Sequence, residues 1–278
     1  MRPELEKKQS EIIESQDVEQ AYHFAMQYER EGADIRALGE MVLHHGDSLT
    51  LYFFSRDIAG ADTSMLEAQF VELANVDEMI MFAQNVSNAN ILVLEQAMVK
   101  RADICPFDAY TFANTSSKNA YATETKFFEN IVTQGCDANA AYYFAKNCKG
   151  ADLKALEKVV LEYGDPSIAY DFALNIPDAN VKALGTLVAQ GMDSQIAYEF
   201  ARDVKDADIA ALENCIIRND DNPTAAYSFA RDVGGANIEK LKNMVMDCKH
   251  DETINAWKDN IEEPNSDSEC SEFGMGMS

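Results

Sequence analysis

Apolar and polar residues along this chain follow a helical period, and they do so around one short phrase that keeps returning. In the segment 151–165, ADLKALEKVVLEYGD, the residues Leu153, Leu156, Val159, Val160 and Tyr163 fall on one helical face, which predicts an amphipathic helix. The stripe Ile168, Ala169, Phe172, Ala173 and Ile176 predicts a second. That second stripe contains the phrase Tyr-x-Phe-Ala, which stands at 22–25, 142–145, 170–173, 198–201 and 227–230, with degenerate copies at 52–55, 80–83 and 110–113. Its anchors Phe24, Phe54, Phe82, Phe112, Phe144, Phe172, Phe200 and Phe229 are spaced by 30, 28, 30, 32, 28, 28 and 29 residues. Such a series marks a tandem repeat.

Polar residues punctuate the pattern. Ala-Asp or Ala-Asn, with a leucine four positions after the acid or amide, gives Asp34/Leu38, Asp62/Leu66, Asn90/Leu94, Asp152/Leu156, Asn180/Leu184, Asp208/Leu212 and Asn237/Leu241. A second acid or amide precedes the tyrosine position by five residues at Asp17, Asp47, Asp137, Asp165, Asp193 and Asn222. Asp and Asn are favoured N-caps because the side-chain oxygen accepts from a free amide of the first turn. Each therefore predicts a helix start. The helix begun at Asp152 is expected to stop at Gly164, a residue that tolerates left-handed backbone angles.

One repeat is thus one helical hairpin: a first near 3–30, seven more through 233, and a ninth near 238–261 that includes Trp257. A hairpin this short cannot bury its own apolar face and must stack on its neighbours. The expected fold is all-α, an α-solenoid of about nine stacked hairpins with a repeat of about 28–30 residues, forming a single repeat domain over 1–262. Alanine beside each aromatic anchor lets helices approach closely while the ring fills the gap. Two regions break the rhythm. The stretch NTSSKNAYATET predicts an irregular joint near 113–126, read either as a tolerated surface insertion or as a hinge, and Lys100, Arg101, Lys118 and Lys126 gather around it. The segment 263–278 is Ser/Gly-rich and acidic and is expected to be a disordered tail.

Charge changes the picture of partners, not of fold. The 48 acids against 23 bases leave a formal net charge of −25, a field that repels nucleic acid and anionic membranes and attracts a basic protein surface. Solubility of a long helical array is the plainer reading of the same charge. Six cysteines scattered singly, with no CxxC pair, suit a reducing compartment, and no long apolar run predicts a membrane span. A cytoplasmic, non-membrane protein is expected.

Chemistry is sparse. No Gly-rich phosphate cradle, HExxH or GxSxG occurs, and His44 and His45 beside Gly46 suit a helix C-terminus. Catalytic, cofactor-binding and metal-binding residues are therefore expected to be none, and the chain is read as not an enzyme. Asp or Asn three residues after the anchor, at Asp57, Asn85, Asn147, Asn175, Asp203 and Asp232, reads either as a contact ladder or, internally, as a side chain bonding backbone at the joint into the next hairpin. The variable place inside Tyr-x-Phe-Ala, held by His23, Phe53, Met81, Thr111, Tyr143, Asp171, Glu199 and Ser228, suits a ligand-facing or simply a solvent-facing position.

The two-helix units resemble HEAT-like and tetratricopeptide-like arrays, though they are shorter and lack the tetratricopeptide tryptophan and proline pattern. The wording YxFAxDVxGADIxxLE, as at 198–213 with Asp206 in the glycine's place, also resembles repeats of uncharacterised proteins of tailed bacteriophages. That resemblance covers about residues 15–250 and brings no known active site. It implies a phage protein acting in the host cytoplasm, a host-takeover or counter-defence factor that occupies a host protein's nucleic-acid site. The leading expectation is a non-enzymatic acidic scaffold that binds, and inhibits or recruits, a protein partner with a basic surface. Asp171, Glu199, Asp203 and Asp232 are its expected protein-binding row. One rival is a DNA mimic that blocks a host nuclease or other nucleic-acid-binding complex. Another is a structural or assembly protein that self-associates through its end hairpins.

Overall fold

The caps anticipated along the chain begin helices. In the computed structural model, which describes residues 3–116, 125–219, 222–248 and 250–262, Asp17 accepts from the Gln20 N–H at 2.9 Å and Asp47 from Thr50 at 2.8 Å. Asp165 and Asp193 accept from Ile168 and Ile196, each at 3.0 Å. The side chains of Asp34, Asp62, Asp137, Asn180, Asp208, Asn222 and Asn237 do the same one turn into their helices. Asn75 adds a reciprocal box with Glu78. Cys105 serves as a sulfur cap, its Sγ accepting from the Asp108 N–H at 3.4 Å.

Two compact units divide the chain, Met1–Asp152 and Leu153–Ser278. The first holds α1 (Pro3–Ser15), α2 (Val18–Tyr28), α3 (Ile35–His45), α4 (Ser48–Asp57), α5 (Thr63–Leu73), α6 (Val76–Asn85), α7 (Ile91–Val99), α8 (Pro106–Ser116), α9 (Thr125–Gln134) and α10 (Ala138–Asn147). Helices α1, α3, α5 and α7 pack in succession as one layer, and α2, α4, α6, α8 and α10 as the other. The second unit holds α11 (Leu153–Tyr163), α12 (Pro166–Asn175), α13 (Val181–Gln190), α14 (Ser194–Asp203), α15 (Ile209–Arg218), α16 (Pro223–Asp232), α17 (Ile238–Asp247) and α18 (Asp251–Trp257), which runs on into a π-helical turn. Its odd and even helices form two layers in the same way. Among the described residues the eighteen α-helices pair as nine hairpins and no strand occurs. The architecture is an α-solenoid.

Between the layers lies the core. Phe54, Phe82, Phe112, Phe144, Phe172, Phe200 and Phe229 are fully buried, as are the signature leucines Leu38, Leu66, Leu94, Leu156, Leu184, Leu212 and Leu241. Each ring removes a large apolar area from water, worth roughly 2–3 kcal/mol per side chain. Trp257 closes the second unit, fully buried with its ring 6.4 Å from that of Tyr227.

In α5, α9, α11 and α15 a glutamate following the signature leucine, or following Phe128 in its place, holds the joint. Glu67 accepts the Asn90 N–H at 2.8 Å, Glu129 that of Asp152 at 2.5 Å, Glu157 that of Asn180 at 2.5 Å and Glu213 that of Asn237 at 2.6 Å. Gln9 does the same for Asp34 at 3.0 Å. The N–H so satisfied belongs to the residue that caps the next hairpin, where the chain is too sharply turned for a backbone partner. Gly39 and Gly185 stand in the glutamate's place in α3 and α13, and a Cβ on Gly185 would meet the Phe200 ring at 3.3 Å.

Four details differ from the sequence reading. Asn90 makes no side-chain cap, because the Val93 N–H turns instead to the Asn90 backbone carbonyl at 2.9 Å. Gly164 is not left-handed: among the described residues the glycines with positive φ are Gly32, Gly150 and Gly235. Gly164 ends α11 by donating its N–H to the Val160 carbonyl at 2.8 Å, an oxygen that a Cβ there would strike. Tyr163 leaves the predicted apolar face and is 49% exposed. Of the irregular joint expected at 113–126, residues 113–116 complete α8 and 125–126 begin α9, while 117–124 lie outside the described residues. The expected tail at 263–278 also lies outside them.

Candidate interaction surface

The even-numbered helices carry the variable position and the Asp/Asn position on one side of each stack. In α4, α14 and α16 an arginine precedes the aspartate: Arg56-Asp57, Arg202-Asp203 and Arg231-Asp232. Each guanidinium forks onto its neighbour's carboxylate at 2.6–2.7 Å. The same guanidinium lies over the tyrosine one turn back, Arg56 at 5.1 Å from the Tyr52 ring centre, Arg202 at 4.9 Å from Tyr198 and Arg231 at 5.2 Å from Tyr227. Lys146 sits over Tyr142 at 5.2 Å.

The aspartates then reach back to the preceding hairpin. Tyr22 donates to Asp57 at 2.7 Å, Tyr170 to Asp203 at 2.8 Å and Tyr198 to Asp232 at 2.7 Å. Asn147 donates to the Tyr110 hydroxyl at 2.9 Å. Asn85 and Asn175 bond instead to carbonyls of their own helices, Met81 and Asp171, each at 2.8 Å. The Asp/Asn position is therefore internal, but its partners are tyrosines of the preceding hairpin and its own helix. The joint backbone was the expected partner, and the buried glutamates already satisfy it.

These contacts set the local charge. The Arg56 and Arg202 guanidiniums, with help from Tyr22 and Tyr170, hold Asp57 and Asp203 below the usual carboxylate range against partial burial. Arg231, chiefly, and Tyr198 hold Asp232 at about 2. Partial burial, the bond to Asp203 and the charges of Asp203 and Glu199 push Tyr170 up to about 12.

All four residues of the expected protein-binding row belong to the second unit, on the neighbouring helices α12, α14 and α16. Asp203 and Asp232 are engaged in the ladder. Asp171 and Glu199 occupy the variable position and are half-buried; Glu199 accepts from Gln195 of its own helix at 2.7 Å, and the Asp171 carboxylate makes no hydrogen bond or ion pair among the described residues. The first unit fills the same position with His23, Phe53, Met81, Thr111 and Tyr143, of which Phe53 and Tyr143 are 37% and 39% exposed. The second unit thus has carboxylates at two of its three variable positions, and the first has rings at three of its five. Of the bases expected around the irregular joint, Arg101 pairs with Asp103 at 3.0 Å and Lys126 with Glu129 at 2.7 Å; Lys118 lies outside the described residues.

No family model, curated protein or solved structure matches this chain. Its surface must therefore be read from its own geometry. No described helix is long and apolar enough to cross a membrane, and among the described residues no three His, Cys, Asp or Glu side chains gather as a metal ion requires. The joint glutamates Glu67, Glu129 and Glu213 are buried, whereas the capping aspartates Asp34, Asp47 and Asp62 stay exposed and add to the negative surface.

Proposed function

We propose that this chain is a non-enzymatic acidic scaffold that binds, and thereby inhibits or recruits, a protein partner through the even-helix face of its second unit. The observation that carries the reading is the division of labour on that face. Asp203 and Asp232, fixed by Arg202, Arg231 and the tyrosines, order the face, while Asp171 and Glu199 are left to meet basic side chains of the partner. Carboxylates at repeat spacing steer and orient a basic surface, and apolar contacts supply most of the affinity. In a phage setting, the partner would be a host protein and the compartment the host cytoplasm.

The test immobilises the full-length protein, offers bacterial lysate at low and high salt, and identifies retained proteins by mass spectrometry. The double variant Asp171→Lys/Glu199→Lys is compared with Glu239→Lys on α17 as control. The expected result is a partner kept by the wild type and by the control, released by salt and lost from the double variant. Retention by the double variant overturns the assignment of this face. Displacement by added duplex DNA would replace it with mimicry of DNA, and self-association without a partner would replace it with an assembly role.

A further inference from the structure

Between α2 and α4 of the first unit lies a cavity of about 420 Å³ lined by Val18, Glu19, Tyr22, His23, Thr50 and Phe53. Its walls are aromatic: the Tyr22 and Phe53 ring centres are 6.4 Å apart, and those of Tyr22 and His23 5.3 Å apart. Glu19 supplies a carboxylate at the rim, 3.9 Å from His23 Nε2. We propose that this cavity receives a Lys or Arg side chain of the protein partner, held against the Tyr22 ring with its charge turned to Glu19. The inference rests on the reading of the chain as a scaffold for a basic protein and adds a second, aromatic contact to it.

Three observations favour a cation over an apolar side chain. The protein itself stacks cations on the rings of this helix row, at Tyr52, Tyr142, Tyr198 and Tyr227, and Arg56 also lies 4.9 Å from the centre of the Phe53 ring. Tyr22 is different: four residues on, where those hairpins have Arg or Lys, stands Met26, and among the described residues no cation of the chain lies over the Tyr22 ring. The Tyr22 hydroxyl donates to Asp57 at 2.7 Å, which enriches the ring in electrons and strengthens its attraction for a cation. Around the mouth stand the carboxylates of Asp17, Glu19 and Asp47, while the Arg56 guanidinium on Phe53 is already paired with Asp57 at 2.6 Å. Backbone and side-chain bonds hold the caps Asp17 and Asp47 below the usual carboxylate range, so both offset the positive helix ends they cap.

Amide NMR of the full chain, titrated with the acetylated and amidated tripeptides Gly-Arg-Gly, Gly-Lys-Gly and Gly-norleucine-Gly, tests the assignment. Shifts at Glu19, His23, Thr50 and Phe53 are expected with the basic peptides and not with norleucine. Glu19→Gln should weaken the basic peptides several-fold, and Phe53→Ala should abolish the shifts while the remaining spectrum keeps its dispersion. Equal binding of norleucine, or no shift with either basic peptide, overturns the cavity assignment. Either failure leaves the acidic face of the second unit standing, since that is read separately through Asp171 and Glu199.

Discussion

Tyr198 on α14 donates its hydroxyl to Asp232 Oδ2 on α16 at 2.7 Å, so two successive hairpins are pinned by one bond to a carboxylate already forked by Arg231. Its worth is open to a double-mutant cycle. Tyr198→Phe should cost on the order of 1–2 kcal/mol, as loss of a hydrogen bond to a charged acceptor does. Asp232→Asn should cost a similar amount, and the pair together less than the sum, by about 1 kcal/mol of coupling. Because Asp232 titrates below its unfolded value, at about 2, its contribution is present above the unfolded pKa and disappears as pH falls through the folded one. Urea unfolding of the four proteins near neutral pH measures the coupling. Strict additivity would show that the bond contributes nothing.

Glu67 offers the opposite pH sign. Burial pushes its carboxyl up to about 7 although the Asn90 N–H, 2.8 Å away, favours the charged form. A raised folded pKa means that stability from this group is complete below the unfolded pKa of about 4.5 and is lost as pH rises through about 7. Gln9 performs the same joint duty uncharged, accepting the Asp34 N–H at 3.0 Å. Glu67→Gln should therefore stabilise at pH ~8 by on the order of 1–3 kcal/mol and change little at pH ~4.5. Equal effects of the substitution at both pH values would contradict the sign.

Ser55 occupies the place where the repeat has alanine, and its hydroxyl oxygen is buried with no hydrogen-bond partner. Ser55→Ala removes an unpaired polar group from the core without changing backbone preference. A gain of about 1 kcal/mol is expected, seen as an unfolding midpoint higher by roughly 2–4 °C. A lower midpoint would mean that the hydroxyl is useful where it stands.

In the turn that joins hairpins, Gly150, Asp178, Asp206 and Gly235 occupy one repeat position with φ of +77°, +57°, +62° and +87°. Left-handed backbone costs an L-residue about 1 kcal/mol. Gly235→Ala should lose about that much, and Asp206→Gly should gain a few tenths to about 1 kcal/mol, the larger entropy of the unfolded glycine offsetting part of the relief. Urea midpoints of the two variants should move in opposite directions; parallel movement would refute the strain argument.

The sequence by itself determined the hairpin, its period and its boundaries, because helix starts and buried faces are local properties. An aspartate before a run with apolar residues three and four apart caps and amphipathically orients a helix whatever lies around it, as Asp17, Asp47, Asp165 and Asp193 do. Full burial of the signature leucines and of the phenylalanines from Phe54 to Phe229 follows from the same periodicity. What the sequence left open was which polar groups meet across hairpins. Asp203 and Asp232 were legible as a repeated position but not as partners of Tyr170 and Tyr198, which stand 33 and 34 residues away. Glu67 and Glu129 were not singled out from the sequence, yet stacking buries both carboxylates against the start of the next hairpin. The recurrence of Glu after the signature leucine was the available signal. Only the tertiary structure decided which acids are drawn into contacts between hairpins, because a carboxylate's role depends on the amide, hydroxyl or guanidinium that packing brings within about 3 Å.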